Sequence, residues 1–277
     1  MLSLPLVVFT DPLDLFPPQG RSWESAAAET VHEMARRSVP LVFVSRGTRA
    51  ELEVVRRKMG NQHPFITESG GGLFVPEGHF RQRPQGAETI RHYHQISFAR
   101  PYAEACSALD EAAQEAGVEV VGFHHMSARE VAENSGLPPR IADLARLREY
   151  DELFFFAGEE GSASGRLAEA ARPGGWKITQ GERFWHFSGG GNVAGAMRRV
   201  MELYRTARHG RVRSIAIGAN RHQAPMLASA GRAFVLPLSN GRYDEELLES
   251  LPAARRAETG GVEGWSATVL AALGADA

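Results

Sequence analysis

Two short apolar runs, each followed by a helix-forming stretch, set the strongest limit on the fold of this chain. The first run, residues 6–9 (LVVF), stops just before Asp11, and the second, residues 41–44 (LVFV), stops before Ser45. Continuous apolar runs of this length, rich in β-branched residues, indicate strands that are buried on both faces, as in parallel sheets. Because a helical stretch follows each run, the pattern reads βαβα. We therefore predict an α/β fold with a parallel sheet.

Asp11 stands at the carboxyl end of the first predicted strand. In open α/β sheets, ligands bind beyond the carboxyl ends of the strands. A carboxylate at that edge can act as a nucleophile or as a metal ligand. The alternative is a turn aspartate that caps the next helix, and this stretch by itself favours the cap.

The second predicted strand ends in a hydroxyl, a cation and a glycine at a helix N-terminus, which are Ser45, Arg46 and Gly47. That arrangement suits a bound phosphate. The same turn also reads as a capping box made by Thr48 and Glu51, and both interpretations can hold together. Three consecutive glycines at residues 70–72 predict a tight reversal between two apolar runs.

Composition excludes several classes of function. The formal net charge of −2 over 277 residues argues against a nucleic-acid-binding surface. The single cysteine, Cys106, excludes an intrachain disulfide and a cysteine zinc cluster. The N-terminal apolar run lacks a preceding basic region and is too short to cross a membrane. We expect a soluble cytoplasmic protein with neither a nucleic acid nor a membrane as partner.

The character of the chain changes near residue 81 and again near residue 188, where Ser188 precedes three glycines. We predict a core domain of residues 1–82 and 189–277, interrupted by an α+β cap domain of residues 83–188. Hinges are expected at residues 81–86 and 188–191, with a cleft between the two domains.

Five segments carry a resemblance to a known family. They are residues 45–51 (SRGTRAE), 64–71 (PFITESGG), 135–138 (SGLP), 144–152 (LARLREYDE) and 181–186 (GERFWH). In combination with the strand pattern, they resemble the haloacid dehalogenase superfamily, and most closely its mannosyl-3-phosphoglycerate phosphatases. The resemblance implies a Rossmannoid core, in which helices flank a parallel sheet, with an inserted α+β cap.

The resemblance also implies catalytic roles. Asp11 matches the aspartate nucleophile, and Ser45, with Arg46 and Gly47, matches the phosphate-binding turn. The family's acid/base aspartate lies two residues after the nucleophile, where this chain has Leu13. Asp14 comes one position later, and on an extended strand end its side chain would point to the other face. We therefore regard it as a doubtful acid/base.

Other family positions are altered as well. Val193 stands where the resemblance implies a lysine, and the chain has no lysines other than Lys58 and Lys177. Ala219 and Gln223 replace the two acids that would hold Mg²⁺, an ion that prefers several hard oxygen ligands. We expect no cofactor and no metal site, or Mg²⁺ if the site is active. The resemblance implies that Arg183 and His186 bind the substrate, and the glycine run would let the backbone at Gly70 and Gly71 approach a ligand closely.

These changes favour a degenerate phosphatase-like protein that binds a small phosphorylated sugar or glycerate derivative, or a protein partner. Each lost group would remove about 2 to 4 kcal/mol of transition-state stabilisation. The alternative is an active phosphomonoester hydrolase with a rebuilt site. Asp11 would be its nucleophile and Asp14 its acid/base, and Arg46 or Arg221 would replace the lost positive charge.

A third interpretation is metal or redox chemistry at the histidines, which are His124, His125, His186 and His222. Adjacent residues on a strand point to opposite faces. We therefore expect that His124 and His125 do not share an ion, and that the histidines are exposed or hydrogen-bonded.

Overall fold

The computed structural model describes residues 4–16, 23–158, 160–181 and 183–274, so Glu182 of the GERFWH segment lies outside the described residues. The strands are β1 (Leu6–Thr10), β2 (Leu41–Val44), β3 (Phe65–Thr67), β4 (Gly72–Pro76), β5 (Glu88–Ile90), β6 (Tyr93–Ser97), β7 (Val120–Gly122), β8 (Asp151–Phe156), β9 (Lys177–Gln180), β10 (Trp185–Ser188), β11 (Arg213–Gly218), β12 (Arg232–Val235) and β13 (Arg255–Arg256). The helices are α1 (Pro12–Leu15), α2 (Trp23–Arg36), α3 (Arg49–Lys58), α4 (Tyr102–Ala116), α5 (Ala128–Ser135), α6 (Pro139–Ala145), α7 (Gly161–Ala171), α8 (Val193–Ala207), α9 (Ala224–Ser229), α10 (Glu245–Ser250) and α11 (Gly261–Gly274).

The larger sheet has the order β13-β12-β11-β1-β2-β3-β4-β6-β5. Its part from β13 to β3 is parallel, and β4, β6 and β5 are added antiparallel. The predicted α/β class is confirmed. Strand β1 lies between β11 and β2 and is buried along its whole length. The carboxyl ends of these three strands therefore meet at one edge of the sheet.

Alternating side chains of β1 enter two apolar layers. Val8 packs in the layer that contains Leu52 of α3 and Trp265 of α11, whereas Phe9 packs on the opposite face with Val200 of α8. Burial on both faces explains the continuous apolar run in the sequence. It also fixes the position of the turn that follows β1.

The smaller sheet is antiparallel, with the order β7-β8-β10-β9. Helices α4 and α7 pack on one face of it through Leu109 and Leu167. Apolar residues around Phe123, including Val131 of α5 and Ala142 of α6, form a separate cluster. These elements form the α+β cap.

The domain boundaries remain a prediction. Strand pairing, however, places residues that follow the predicted first boundary at residue 83 in the sheet of the core. Strand β6 pairs with β4 along its whole length, from Ser97 opposite Gly72 to Tyr93 opposite Pro76. Residues 88–97 therefore belong by hydrogen bonding to the larger sheet. The chain crosses between the sheets at residues 98–100 and 189–191, which lie side by side, and not at the predicted first hinge at residues 81–86.

The described helices include none that is both long enough and apolar enough to serve as a membrane span.

Candidate active site

Asp11 lies at the predicted sheet edge and is almost completely buried. The backbone N–H of Leu13 donates to its Oδ1 atom at 3.0 Å, which makes Asp11 the N-cap of α1. The Ser45 hydroxyl donates to the same oxygen at 2.9 Å. The Gly47 N–H in turn donates to the Ser45 Oγ at 3.2 Å. Asp11 therefore caps a helix and also faces the predicted phosphate-binding turn.

The environment of Asp11 opposes its ionisation. Burial raises the pKa of Asp11 well above its usual range, and the negative charge of Asp14 raises it further. Hydrogen bonds from Ser45 and Leu13 and the charge of Arg46 lower it by smaller amounts. An ionised Asp11 therefore needs additional positive charge in the cleft.

Asp14 lies on the same side as Asp11, contrary to the expectation from strand geometry. The chain does not stay extended after β1, because Pro12–Leu15 forms one helical turn. The Asp14 Oδ2 atom accepts hydrogen bonds from the side-chain amides of Asn220 at 2.8 Å and Gln223 at 2.7 Å. Two carboxylates thus face one cleft. An acid/base role for Asp14 stays a prediction.

Leu13 packs so closely against Gly47 that a larger residue at position 47 would require the Leu13 side chain to move. A Cβ atom on Gly47 would lie 2.3 Å from the Leu13 Cδ1 atom. The Leu13 side chain therefore covers the predicted phosphate-binding turn at the position where the family resemblance implies an acid/base. This contact is apolar and transfers no proton.

Gln223 is buried and organises the loop after β11. Its Oε1 atom accepts from the N–H of Ala219 at 2.6 Å and of Asn220 at 3.4 Å. Its Nε2 atom donates to Asp14. The uncharged side-chain amide of Gln223 therefore connects the loop after β11 to Asp14 in α1 by hydrogen bonds.

Val193 begins α8, which Asn192 caps through a 2.9 Å hydrogen bond from the backbone N–H of Gly195. A Cβ atom on Gly70 would lie 2.4 Å from the Val193 nitrogen, and one on Gly71 would lie 2.7 Å from the Tyr150 Cβ. The two glycines are buried packing positions and do not line the cavities at Asp11.

The cap contributes His186 and Arg183 to the cleft. The His186 Nδ1 atom lies 2.8 Å from the Asp151 Oδ2 atom, and the Arg183 Nη1 donates to the Ser135 carbonyl at 2.9 Å. Asp151 is buried, which opposes its ionisation, but the Arg148 guanidinium and His186 hold the pKa of Asp151 below its usual range.

The junction between cap and core contains a buried carboxylate that the sequence analysis missed. Glu68 follows β3 with a φ of 47°, in the left-handed region. Its carboxylate accepts the backbone N–H groups of Glu149, Tyr150 and Asp151 at 2.8 to 3.1 Å. Glu68 therefore fixes the start of β8, and with it Asp151 and its partner His186. The one hint in the sequence was that Glu68 belongs to residues 64–71, one of the segments that carry the family resemblance.

The cleft consists of two cavities of about 240 Å³ and 570 Å³. Four residues line both of them, which are Asp11, Ser45, Arg46 and His186. A larger cavity of about 970 Å³ lies beside Arg56 and Tyr93 and contains none of the predicted site residues. Side-chain chemistry, and not cavity size, therefore identifies the candidate site.

Comparisons with known proteins find relatives that cover most of this chain. A glucosyl-3-phosphoglycerate/mannosyl-3-phosphoglycerate phosphatase of Methanococcoides burtonii is 32% identical over 97% of this chain and 97% of its own. A protein of the same description from Persephonella marina is 28% identical over 95% of this chain and 96% of its own. The mannosyl-3-phosphoglycerate phosphatase of Pyrococcus horikoshii is 28% identical over 76% of this chain and 82% of its own. No family model matches the chain.

Solved structures show the same fold. A haloacid dehalogenase-like hydrolase from Bacteroides thetaiotaomicron has a TM-score of 0.64 at 14% identity, covering 98% of this chain and 100% of its own. A sugar phosphatase of haloacid dehalogenase subclass IIB has a TM-score of 0.60 at 12% identity, covering 98% and 99%. At these identities the likeness concerns the fold alone.

Proposed function

Because the chain belongs to the haloacid dehalogenase superfamily and, within it, to the family of glucosyl-3-phosphoglycerate/mannosyl-3-phosphoglycerate phosphatases, we propose that it hydrolyses a phosphorylated hexosyl-glycerate through Asp11. The observation that carries this proposal is the placement of Asp14 beside Asp11 in one cleft. That placement supplies the second carboxylate that Leu13 does not.

The proposed reaction has two displacements. The Asp11 Oδ2 atom attacks phosphorus, the bond to the ester oxygen breaks, and an aspartyl phosphate forms. Asp14 gives its proton to the leaving oxygen and then accepts a proton from the water that attacks the intermediate. Inorganic phosphate leaves, and Asp11 is regenerated.

Arg46 is the proposed replacement for the positive charge of the missing lysine. It follows Ser45 in the turn and lines both cavities. Among the described residues, its guanidinium has no hydrogen-bond partner, so all its donors are available. A planar guanidinium matches the oxygens of a phosphate in a bidentate geometry.

The donor set also fits Mg²⁺ to a limited extent. Ala219 and the amide of Gln223 provide no carboxylate, but Asp11 and Asp14 provide two. Sites that hold Mg²⁺ beside a substrate phosphate typically use one or two carboxylates. We propose that Asp11 would hold the ion, which would offset negative charge between its carboxylate and the phosphate, and that Asp14 stays unliganded for proton transfer.

A second candidate function is phosphate-ester binding with little or no turnover. Two contacts favour it: Leu13 covers Gly47 with an apolar side chain, and the Gln223 amide holds the Asp14 carboxylate. A carboxyl group held in this way is a less effective acid/base than one directed at the leaving oxygen.

Phosphate release from glucosyl- and mannosyl-3-phosphoglycerate, with and without Mg²⁺, distinguishes the two functions. We expect turnover that Asp11→Asn abolishes and that Asp143→Asn, a change at an exposed aspartate on α6, leaves intact. Calorimetric binding of both esters without any release of phosphate would establish the binding function instead. If the esters neither bind nor react, both functions are excluded.

A further inference from the structure

A cluster of metal-ligating side chains lies in the cap, outside the cleft. Asp110 comes from α4, and His124 and His125 come from the short turn that follows β7. The His124 Nε2 lies 3.2 Å from the Asp110 Oδ2, and the His125 Nε2 lies 3.6 Å from the Asp110 Oδ1. The ligand atoms of all three residues lie within 4.8 Å of one another.

The expectation that His124 and His125 cannot share an ion is wrong about the local structure. Residues Phe123–His125 form a turn of 3₁₀ helix and not a strand, so the two histidines do not alternate between faces. Their ring centroids are 3.7 Å apart. The turn therefore directs both imidazoles toward Asp110.

Glu152 fixes the orientation of His124. Its carboxylate is fully buried and lies 2.8 Å from the His124 Nδ1 and 3.1 Å from the His124 backbone nitrogen, which donates to it. In a neutral imidazole, a carboxylate at Nδ1 favours the tautomer with the proton on Nδ1, whose Nε2 lone pair faces Asp110. Carboxylates orient ligating histidines in this way in many zinc sites.

We propose that Asp110, His124 and His125 form a binding site for a divalent transition-metal ion of the zinc type. Nitrogen and oxygen ligands at about 2.0 to 2.1 Å from a tetrahedral ion lie about 3.3 Å apart, close to the separations of 3.2 and 3.6 Å. Two imidazoles and one carboxylate suit Zn²⁺, Cu²⁺ or Ni²⁺ better than Mg²⁺.

Exposure of the cluster is compatible with metal entry from solvent. The side chains of His125 and Asp110 are 48% and 47% exposed. Three protein ligands leave a fourth position for water or an anion. Cys106 lies one helical turn before Asp110, but its sulfur lies 3.9 Å from Glu152, on the Nδ1 side of His124. It is therefore not a ligand in this arrangement.

The test uses the full chain after treatment with a chelator and its removal. Calorimetric titration with Zn²⁺ and the thermal shift it causes are measured for wild type, His125→Ala and Asp110→Asn. Both substituted side chains are about half exposed, so folding is retained. We expect one bound Zn²⁺ per chain, and at least tenfold weaker binding in either variant. The control His32→Ala, at an exposed histidine of α2, should bind like wild type.

A further variant separates this site from the cleft. Asp11→Asn should bind Zn²⁺ as tightly as wild type, because neither Asp11 nor Asp14 belongs to the cluster. Co²⁺ bound by four ligands absorbs visible light more strongly than hydrated Co²⁺. This absorption should disappear in His125→Ala. The proposal is overturned if Zn²⁺ does not bind, if it binds equally well to the cluster variants, or if Asp11→Asn alone abolishes binding.

Discussion

The side-chain amide of Gln223, in the loop after β11, donates a 2.7 Å hydrogen bond to the carboxylate of Asp14 in α1. The neutral amide donates a hydrogen bond here without adding charge. It therefore stabilises the Asp14 carboxylate while leaving two acidic groups in the cleft.

Gln223→Asp should destabilise the protein without Mg²⁺ and gain stability when Mg²⁺ is added. The substitution removes a buried donor and adds a third carboxylate near Asp14, at a cost of about 1 to 3 kcal/mol. A divalent ion bound by Asp11 and the added carboxylate would recover part of that loss. Thermal unfolding with and without Mg²⁺ measures both effects. An unchanged Tm in both conditions would contradict the assigned contact.

Asp11→Asn should become more stable relative to wild type as the pH rises. Burial raises the pKa of Asp11 in the folded state, whereas an unfolded aspartate ionises near pH ~4. Between these two pKa values the folded protein keeps a proton that the unfolded chain releases, so stability falls with rising pH. Asparagine does not ionise and escapes this loss.

Between the two pKa values each pH unit corresponds to about 1.4 kcal/mol, so the stability of Asp11→Asn relative to wild type should increase by about 2 to 3 kcal/mol from pH ~5 to pH ~7. Each kcal/mol corresponds to about 2 to 4 °C in Tm for a domain of this size. Thermal unfolding at both pH values, with Asp143→Asn as control, measures the difference. A gain that does not depend on pH would argue against a raised pKa.

Glu68→Gln should loosen the junction between cap and core. Both oxygens of Glu68 accept backbone N–H groups of residues 149–151, and glutamine replaces one acceptor with a donor. A buried N–H without a partner costs about 1 to 3 kcal/mol. Denaturant unfolding should show this loss, whereas Glu104→Gln, in an exposed pair with Arg100, should change stability by less than about 0.5 kcal/mol.

Arg46→Ala should weaken binding of a phosphate ester by about 10- to 100-fold. Hydrogen bonds to charged groups contribute about 1.5 to 3 kcal/mol, and about 1.4 kcal/mol corresponds to a factor of ten. Calorimetric titration with glucosyl-3-phosphoglycerate, in an Asp11→Asn background that blocks turnover, measures the affinity. Arg57→Ala, at an exposed arginine of α3, serves as control. Equal affinities in the two variants would exclude Arg46 from the phosphate site.

The sequence was sufficient to predict the sheet and the residues at its edge. A buried strand must be apolar on both faces, so β1 and β2 are visible as continuous runs, and the edge residues Asp11 and Ser45 follow directly. The capping box of Thr48 and Glu51 was also predicted correctly, because it depends on residues three positions apart.

Features that depend on a local change of backbone geometry were not predictable in the same way. Asp14 and the pair His124 and His125 were assigned strand periodicity, but each lies in a short helical turn that brings its side chains together. Glu68 was missed because its partners are backbone groups about 80 residues away. Neither composition nor periodicity encodes such a contact.

The hydroxyl of Ser45 has a single hydrogen atom, which it gives to the Asp11 Oδ1 while its own oxygen accepts from Gly47. A phosphate oxygen that binds this turn competes with Asp11 for that hydrogen. If the phosphate takes it, Asp11 loses one of the two donors on Oδ1 and becomes a stronger base. The arrival of the ligand and the change in basicity of Asp11 are then linked by the rotation of one hydroxyl group, and the positive charge of Arg46 must keep the more basic carboxylate ionised.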